Sequence, residues 1–150
     1  MGCKYFEKFK VGYMPDYFAA AQRHFDDGDF LHQHARHPNA VQLWAYGGEC
    51  TLKAIALKQG YFQVGATGKP NNKFGQHLNE NSALDLLSLY NAAQTGAAAL
   101  MGPSTAFVGW QVSVRYEDGS QLQPNVAQYA MDAACFRNLL NAAIAGGLVP

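Results

Sequence analysis

Apolar residues recur at helical spacing in several stretches of this chain and alternate in one. In "PDYFAAAQRHFDD", Phe18, Ala21 and Phe25 share one side of a helix that opens with Pro15 and Asp16 and is expected to stop near Gly28. Asn39, just after Pro38, can cap a second helix that runs to Gly60, a natural C-terminal stop. The segment from 60 to 76, rich in Gly, Asn and Lys and without an apolar period, reads as a mobile loop. A third helix spans about Glu80 to Thr95, with Leu84, Leu87, Leu89 and Tyr90 on it and Gly96 after it. In "FVGWQVSVRY" the alternation of Trp110, Val112, Val114 and Tyr116 predicts an extended stretch, although a short apolar run also fits a helix. Pro124 starts a last helix whose stripe of Val126, Tyr129, Ala133, Phe136, Leu140 and Ile144 ends at Gly146 and Gly147. Residues 97 to 109 carry no decisive pattern. The fold class predicted is all-α, an antiparallel up-and-down bundle of four to five helices.

The second helix is the unusual one. At about 100° per residue, Val41, Trp44, Ala45, Gly48, Leu52 and Ile55 form one broad face, and Leu43, Cys50 and Leu57 lie opposite it. A helix apolar on two sides belongs in the middle of a bundle. The arc left over, roughly 60° wide, holds Gln42, Tyr46, Glu49 and Lys53. Gly47 and Gly48 each cost about 1 kcal/mol against alanine inside a helix, so close approach of a neighbouring backbone or a ligand should compensate. Glu49 and Lys53 can be a passive i, i+4 pair worth a few tenths of a kcal/mol, but a central position demands further partners for the carboxylate.

Composition changes this picture little. The 150 residues suit one domain, 1–150, with its core at about 14–146. Nearly half are hydrophobic, and Lys plus Arg equal Asp plus Glu at 11 each, so no global charge draws the chain to nucleic acid or membrane. No apolar run approaches the roughly 18 residues of a membrane span, and the start lacks the apolar stretch of a secretory signal. A cytoplasmic protein without membrane partners is the expectation. Gly2 and Cys3 would suggest a lipidated terminus, but Phe6 stands where the myristoylation pattern wants Ser or Thr. Cys3, Cys50 and Cys135 are odd in number and far apart, which argues against disulfides and thiolate zinc sites; Cys50 and Cys135 are expected to fill the core.

The histidines are the remaining chemistry. In "HQHARHP", His32, His34 and His37 are candidate ligands for a transition metal, set against a solvent-exposed loop between helices one and two. His24 reads as a surface residue. No cofactor is called for.

The order "NAVQLWAYGGECTLKAIAL", "QHLNENSALDLLSLY", "WQVSVRYEDGS" and an Ala-rich terminal helix resembles the HEPN domain family. The likeness rests on Glu49, Leu52, Lys53 and Ala54 for a helix of the type A-x-E-x-x-L-K-A, His77 with Leu78 before the third helix, and Arg115 with Tyr116 ahead of the last. Glu117 and Asp118 follow where the family often has Pro and Asp, and the match covers roughly residues 16 to 146. The resemblance implies a helical bundle, commonly a homodimer, linked to nucleotide or RNA binding and to nucleotidyltransferase partners in toxin–antitoxin or defence systems. At these positions Glu49, Lys53, His77, Arg115 and Tyr116 are the candidate ligand-binding residues, lining a groove in which Lys and Arg face a phosphate and Tyr116 or Trp110 stacks a base, set against a polar stripe that is only an internal strut. The family's ribonucleases carry an Arg, four to six residues and then a His; "YEDGSQLQPN" after Arg115 holds no His. Binding rather than chemistry is therefore the expected activity. The alternatives are a metal-independent ribonuclease using His77 as base with Arg115, or a pure dimerisation or interaction protein. Arg115 has a structural explanation too, as a partner of Glu49 or Asp118. Lys69 and Lys73 would extend a basic edge or simply face solvent.

Overall fold

The computed structural model describes residues 14–79, 85–97 and 99–150. The expectations about Gly2, Cys3 and Phe6, and the Glu80–Leu84 part of the third helix, lie outside the described residues. Among the described residues the chain is all-α: α1 (Tyr17–Gln33), α2 (His37–Lys58), α3 (Leu86–Ala93) and α4 (Val126–Ala145), with short 3-10 segments at Lys73–Gly75, Val112–Tyr116 and Ser120–Asn125. An isolated bridge between Val64 and Pro70 is the extent of β pairing among these residues. No helix among them is long and apolar enough to cross a membrane.

Helix α1 begins as its sequence predicts, with the Asp16 carboxylate accepting from the Ala19 amide at 2.9 Å. It does not stop at Gly28. That glycine is buried against α2, where a Cβ would lie 2.5 Å from Trp44 Cδ1. Its missing side chain admits the indole, and burial of Trp44 outweighs the modest helix penalty of one glycine. The helix closes at Ala35, in the left-handed region at φ 57°, with the Ala35 amide donating to His32 O at 3.0 Å and Arg36 to Leu31 O at 2.9 Å. That closure delivers the chain directly into α2. Arg36, not Asn39, stands at its N-cap, and Pro38 occupies the first turn, where a fixed φ suits the helix and no amide is needed. His32 and His37 thus belong to helix ends, not to a loop.

Helix α2 sits at the centre, packed against α1, α4, α3 and the later 3-10 segments. Both faces assigned from the wheel are covered: Val41, Trp44, Ala45, Gly48, Leu52 and Ile55 are buried, while Leu43, Cys50 and Leu57 are half-buried. The glycines are explained by aromatic rings rather than by a backbone or ligand. A Cβ on Gly47 would fall 2.7 Å from the Phe25 ring of α1, and one on Gly48 would fall 2.9 Å from the Phe136 ring of α4. The helix stops at Gly60 as predicted, at φ 79°, with the Tyr61 amide on Ala56 O at 2.9 Å.

The stretch from 60 to 76, expected as a mobile loop, is pinned to the core. Phe62 and Phe74 are buried and stacked with centroids 5.3 Å apart, and Tyr17 of α1 meets Phe62 edge-on at 6.2 Å. Two aromatics suffice to anchor a polar segment that has no period. Helix α3 ends at Ala93 with Gln94 as its cap. The described part of 97–109 is irregular and tied back by side chains: Asn91 bonds Pro103 O and the Gly102 amide, and the Tyr90 hydroxyl donates to Leu100 O at 2.7 Å.

The extended stretch expected at 107–116 is a turn at Phe107–Trp110 followed by 3-10 helix. Trp110 is fully buried and Val114 nearly so, whereas Tyr116 is 78 % exposed, so the period-two alternation did not mark two faces of a strand. With no neighbouring strand among the described residues, the backbone satisfies itself in short local bonds. Helix α4 starts two residues beyond Pro124, which lies in the preceding 3-10 segment. Tyr129, Ala133, Phe136 and Leu140 are buried as predicted, with Leu139 and Ala143 added, but Ile144 is exposed. Cys135 also faces outward, contrary to expectation, and Cys50 is half-buried.

Candidate functional site

The polar stripe of α2 divides into two parts. Its inner part is a buried charge cluster. Glu49 and Lys53 are 6 % and 5 % exposed, and Lys53 Nζ lies 2.7 Å from Glu49 Oε1. His77, delivered by the segment that Phe74 and Leu78 anchor in the core, places Nδ1 2.9 Å and 3.0 Å from the two Glu49 oxygens. One carboxylate thus receives an ammonium and an imidazole from two parts of the chain. Burial alone would push the Glu49 carboxyl up; the His77 hydrogen bond and the Lys53 charge more than offset that and hold it below its ordinary value. Glu49 is therefore an anion at neutral pH.

The outer part is built on Gln42 and Tyr46. Gln42 accepts from Trp110 Nε1 at 3.0 Å and donates to the Tyr46 hydroxyl at 2.6 Å. The Tyr46 ring lies edge-on to Trp110 at 5.8 Å. Arg115 reaches this point from the 3-10 segment. Its Nη2 donates to the Tyr116 hydroxyl at 2.6 Å, its guanidinium carbon sits 4.7 Å from that ring's centroid, and it bonds Tyr46 as well. Those two hydroxyls raise the guanidinium's pKa above its already high value. The expected pairing of Arg115 with Glu49 or Asp118 does not form: Glu49 pairs with Lys53 and His77, and Asp118 accepts from the Ser120 amide at 2.9 Å.

His77 and Arg115 nevertheless arrive on the same side of α2. They bond Glu49 and Tyr46, which are three residues apart and so one turn apart on a single face. His24 of α1 joins them, with its ring 5.8 Å from Tyr46 and its charge coupled to Glu49. Expected on the surface, it is half-buried; burial, then the nearby Arg23, lower its pKa, against opposing pulls from Asp27 and Glu49. Beside Arg115 a cleft of about 280 Å³ runs past Pro38, Gln42 and Val114 to Asp118. Cys50, on the far flank, has its thiol pushed up to about 12 by burial and Glu49, so it carries no thiolate chemistry at neutral pH.

Of the predicted site residues, Glu49, Lys53 and His77 form one hydrogen-bonded unit, and Arg115 and Tyr116 form another. Gln42 and Tyr46, which connect α2 to the second unit, are not among the residues the sequence singles out as ligand-binding, and Trp110, a candidate for stacking a base, is instead fully buried against them. The spacing of Gln42 and Tyr46 on the same stripe as Glu49 was the available signal. The three histidines of "HQHARHP" do not all converge: His32 and His37 meet, whereas His34 turns away to bond Phe30 O at 2.7 Å and stack on the Phe30 ring. Among the described residues no three His, Cys, Asp or Glu side chains are grouped to hold a metal ion. Comparison with family models, with curated proteins and with solved structures gives no match for this chain.

Proposed function

We propose that this chain is a HEPN-like helical module that binds the phosphate of a nucleotide or an RNA, without cleaving it, at the mouth of the α2 seam. The observation that carries the reading is Arg115, exposed yet held in place by two tyrosine hydroxyls next to the Glu49–His77 unit. A guanidinium oriented before binding loses little freedom when it takes a bidentate phosphate. Lys53 and His77 already compensate the Glu49 carboxylate, so Arg115, whose own partners are the neutral Tyr46 and Tyr116, keeps its charge for a ligand. Tyr116, largely exposed, is the surface on which a base would stack. Lys53 is assigned differently from the others: buried and bonded to Glu49, it holds the seam together and does not grasp the ligand.

The test is calorimetric titration with ATP and with a short single-stranded RNA. Arg115→Ala should abolish binding without lowering the melting temperature, whereas Lys53→Met should lower the melting temperature and leave binding in whatever remains folded. Unchanged binding in Arg115→Ala, or none in the wild type, rejects the proposal. Homodimerisation, a nucleotidyltransferase-type partner and a toxin–antitoxin role belong to the same proposal through the resemblance, and light scattering checks the first.

The Glu49–His77 bond favours one second reading. A carboxylate that accepts from Nδ1 sets the neutral ring's tautomer and makes Nε2 its basic nitrogen, the arrangement a general base for a ribose 2′-hydroxyl requires. Degradation of RNA by the purified chain, lost in His77→Ala, would replace binding with ribonuclease activity.

A further inference from the structure

The closure between α1 and α2 brings two histidines together. His32 lies in the last turn of α1 and His37 is the first residue of α2, and the left-handed Ala35 folds the backbone so that their Nδ1 atoms are 3.0 Å apart. The ring centroids are 4.9 Å apart, and His32 also leans on the Trp44 ring at 5.1 Å. Without an ion between them, one ring must carry its proton on Nδ1 and donate while the other accepts.

The same separation fits a second arrangement. Metal–imidazole bonds of about 2.0–2.1 Å put neighbouring ligands of a square-planar or octahedral ion about 2.9 Å apart, whereas tetrahedral ligands stand about 3.3 Å apart. The two nitrogens are spaced as cis ligands. We propose that His32 and His37 form a two-histidine clip, coordinating through Nδ1, for a divalent ion of the tetragonal class to which Cu²⁺ and Ni²⁺ belong. On binding, the ring that donated moves its proton to Nε2 through solvent, so both lone pairs face the ion and the charge of the pair is unchanged. The remaining positions take water or an exogenous ligand. Asp29, one turn before His32, is not available as a third ligand because its carboxylate accepts from Trp44 Nε1 at 2.8 Å and from Arg137 Nη2 at 2.5 Å. His34 is turned to Phe30. The clip is set by backbone hydrogen bonds at two helix ends, Ala35 to His32 and Arg36 to Leu31, so little ordering accompanies binding.

The full chain carrying Trp110→Phe retains Trp44 as its one tryptophan, next to the clip. Titration with NiCl₂ should quench that fluorescence with a stoichiometry of one ion per chain. His32→Ala and His37→Ala should each raise the Kd by about tenfold or more, and His34→Ala should leave it within about twofold. His37→Gln, which keeps the volume but removes the imidazole, should behave as His37→Ala and serves if the alanine variant does not fold. No quenching by Ni²⁺, equal weakening in His34→Ala, or undiminished binding in a His32→Ala/His37→Ala double variant would overturn the assignment. None of these outcomes depends on phosphate binding at Arg115, which is read in separate titrations.

Discussion

Exchanging Glu49 for Gln removes one negative charge at nearly constant volume. Lys53 is 5 % exposed and its ammonium faces the Glu49 carboxylate at 2.7 Å, so the exchange leaves a cation out of water with only an amide oxygen opposite. Breaking a buried pair from one side costs about 3–5 kcal/mol, and because Gln can still accept from Lys53 and His77 the lower end, about 3 kcal/mol, is expected. For a chain of this size that corresponds to a fall of roughly 6–12 °C in melting temperature. Lys53→Met is gentler at about 2 kcal/mol, since Glu49 retains His77 at 2.9 Å. The double variant replaces two charges by neutral groups and should lose less than the sum of the singles by at least about 2 kcal/mol. Urea unfolding followed by tryptophan fluorescence measures all three, with the m-value checked for constancy. Losses below about 0.5 kcal/mol for Glu49→Gln, or single effects that simply add, would show that the pair is not desolvated and that the central position of α2 has been misjudged.

The same carboxylate sets an acid limb. Its folded pKa lies below the ordinary 4.5, so its contribution is present above that value and is lost as pH falls through the lower folded pKa; urea midpoints between pH 6 and 3 should decline less steeply in Glu49→Gln. Gly48→Ala gains up to about 1 kcal/mol of helix propensity but puts a methyl 2.9 Å from the Phe136 ring, an overpacking cost of about 1–3 kcal/mol, so a net loss of about 1 kcal/mol is expected and Phe136→Leu should restore part of it. A gain in stability would mean the ring yields freely. Ala35→Gly relieves a left-handed alanine at φ 57° and should stabilise by about 0.5–1 kcal/mol after the unfolded-state entropy of glycine is counted; a loss by thermal melting would refute the strain.

Local periodicity made much of the fold readable. Helices α1, α2 and α4 follow from apolar residues at helical spacing, and the wheel of α2 alone placed it at the centre, because a helix apolar on two sides has nowhere else to bury both. Their capping signals were less reliable. Asp16 and Gly60 act as the sequence suggests, but Gly28 reads the same as a stop and is a contact, since only Trp44 across the interface distinguishes the two. The 107–116 stretch failed for a related reason: alternation describes side-chain spacing, while a strand needs a partner to take its backbone hydrogen bonds.

The candidate site shows the same division. Gln42, Tyr46, Glu49 and Lys53 lie on one stripe because four residues at spacings of four, three and four must share a side of any α-helix, and that is a property of the chain alone. Which partners reach the stripe was settled only by packing: Phe74 and Leu78 bring His77 to Glu49, and burial of Trp110 and Val114 leaves Arg115 beside Tyr46. Helical spacing is local and repeats every few bonds, whereas these meetings depend on where distant apolar side chains find room, and no stretch of neighbouring residues encodes that room.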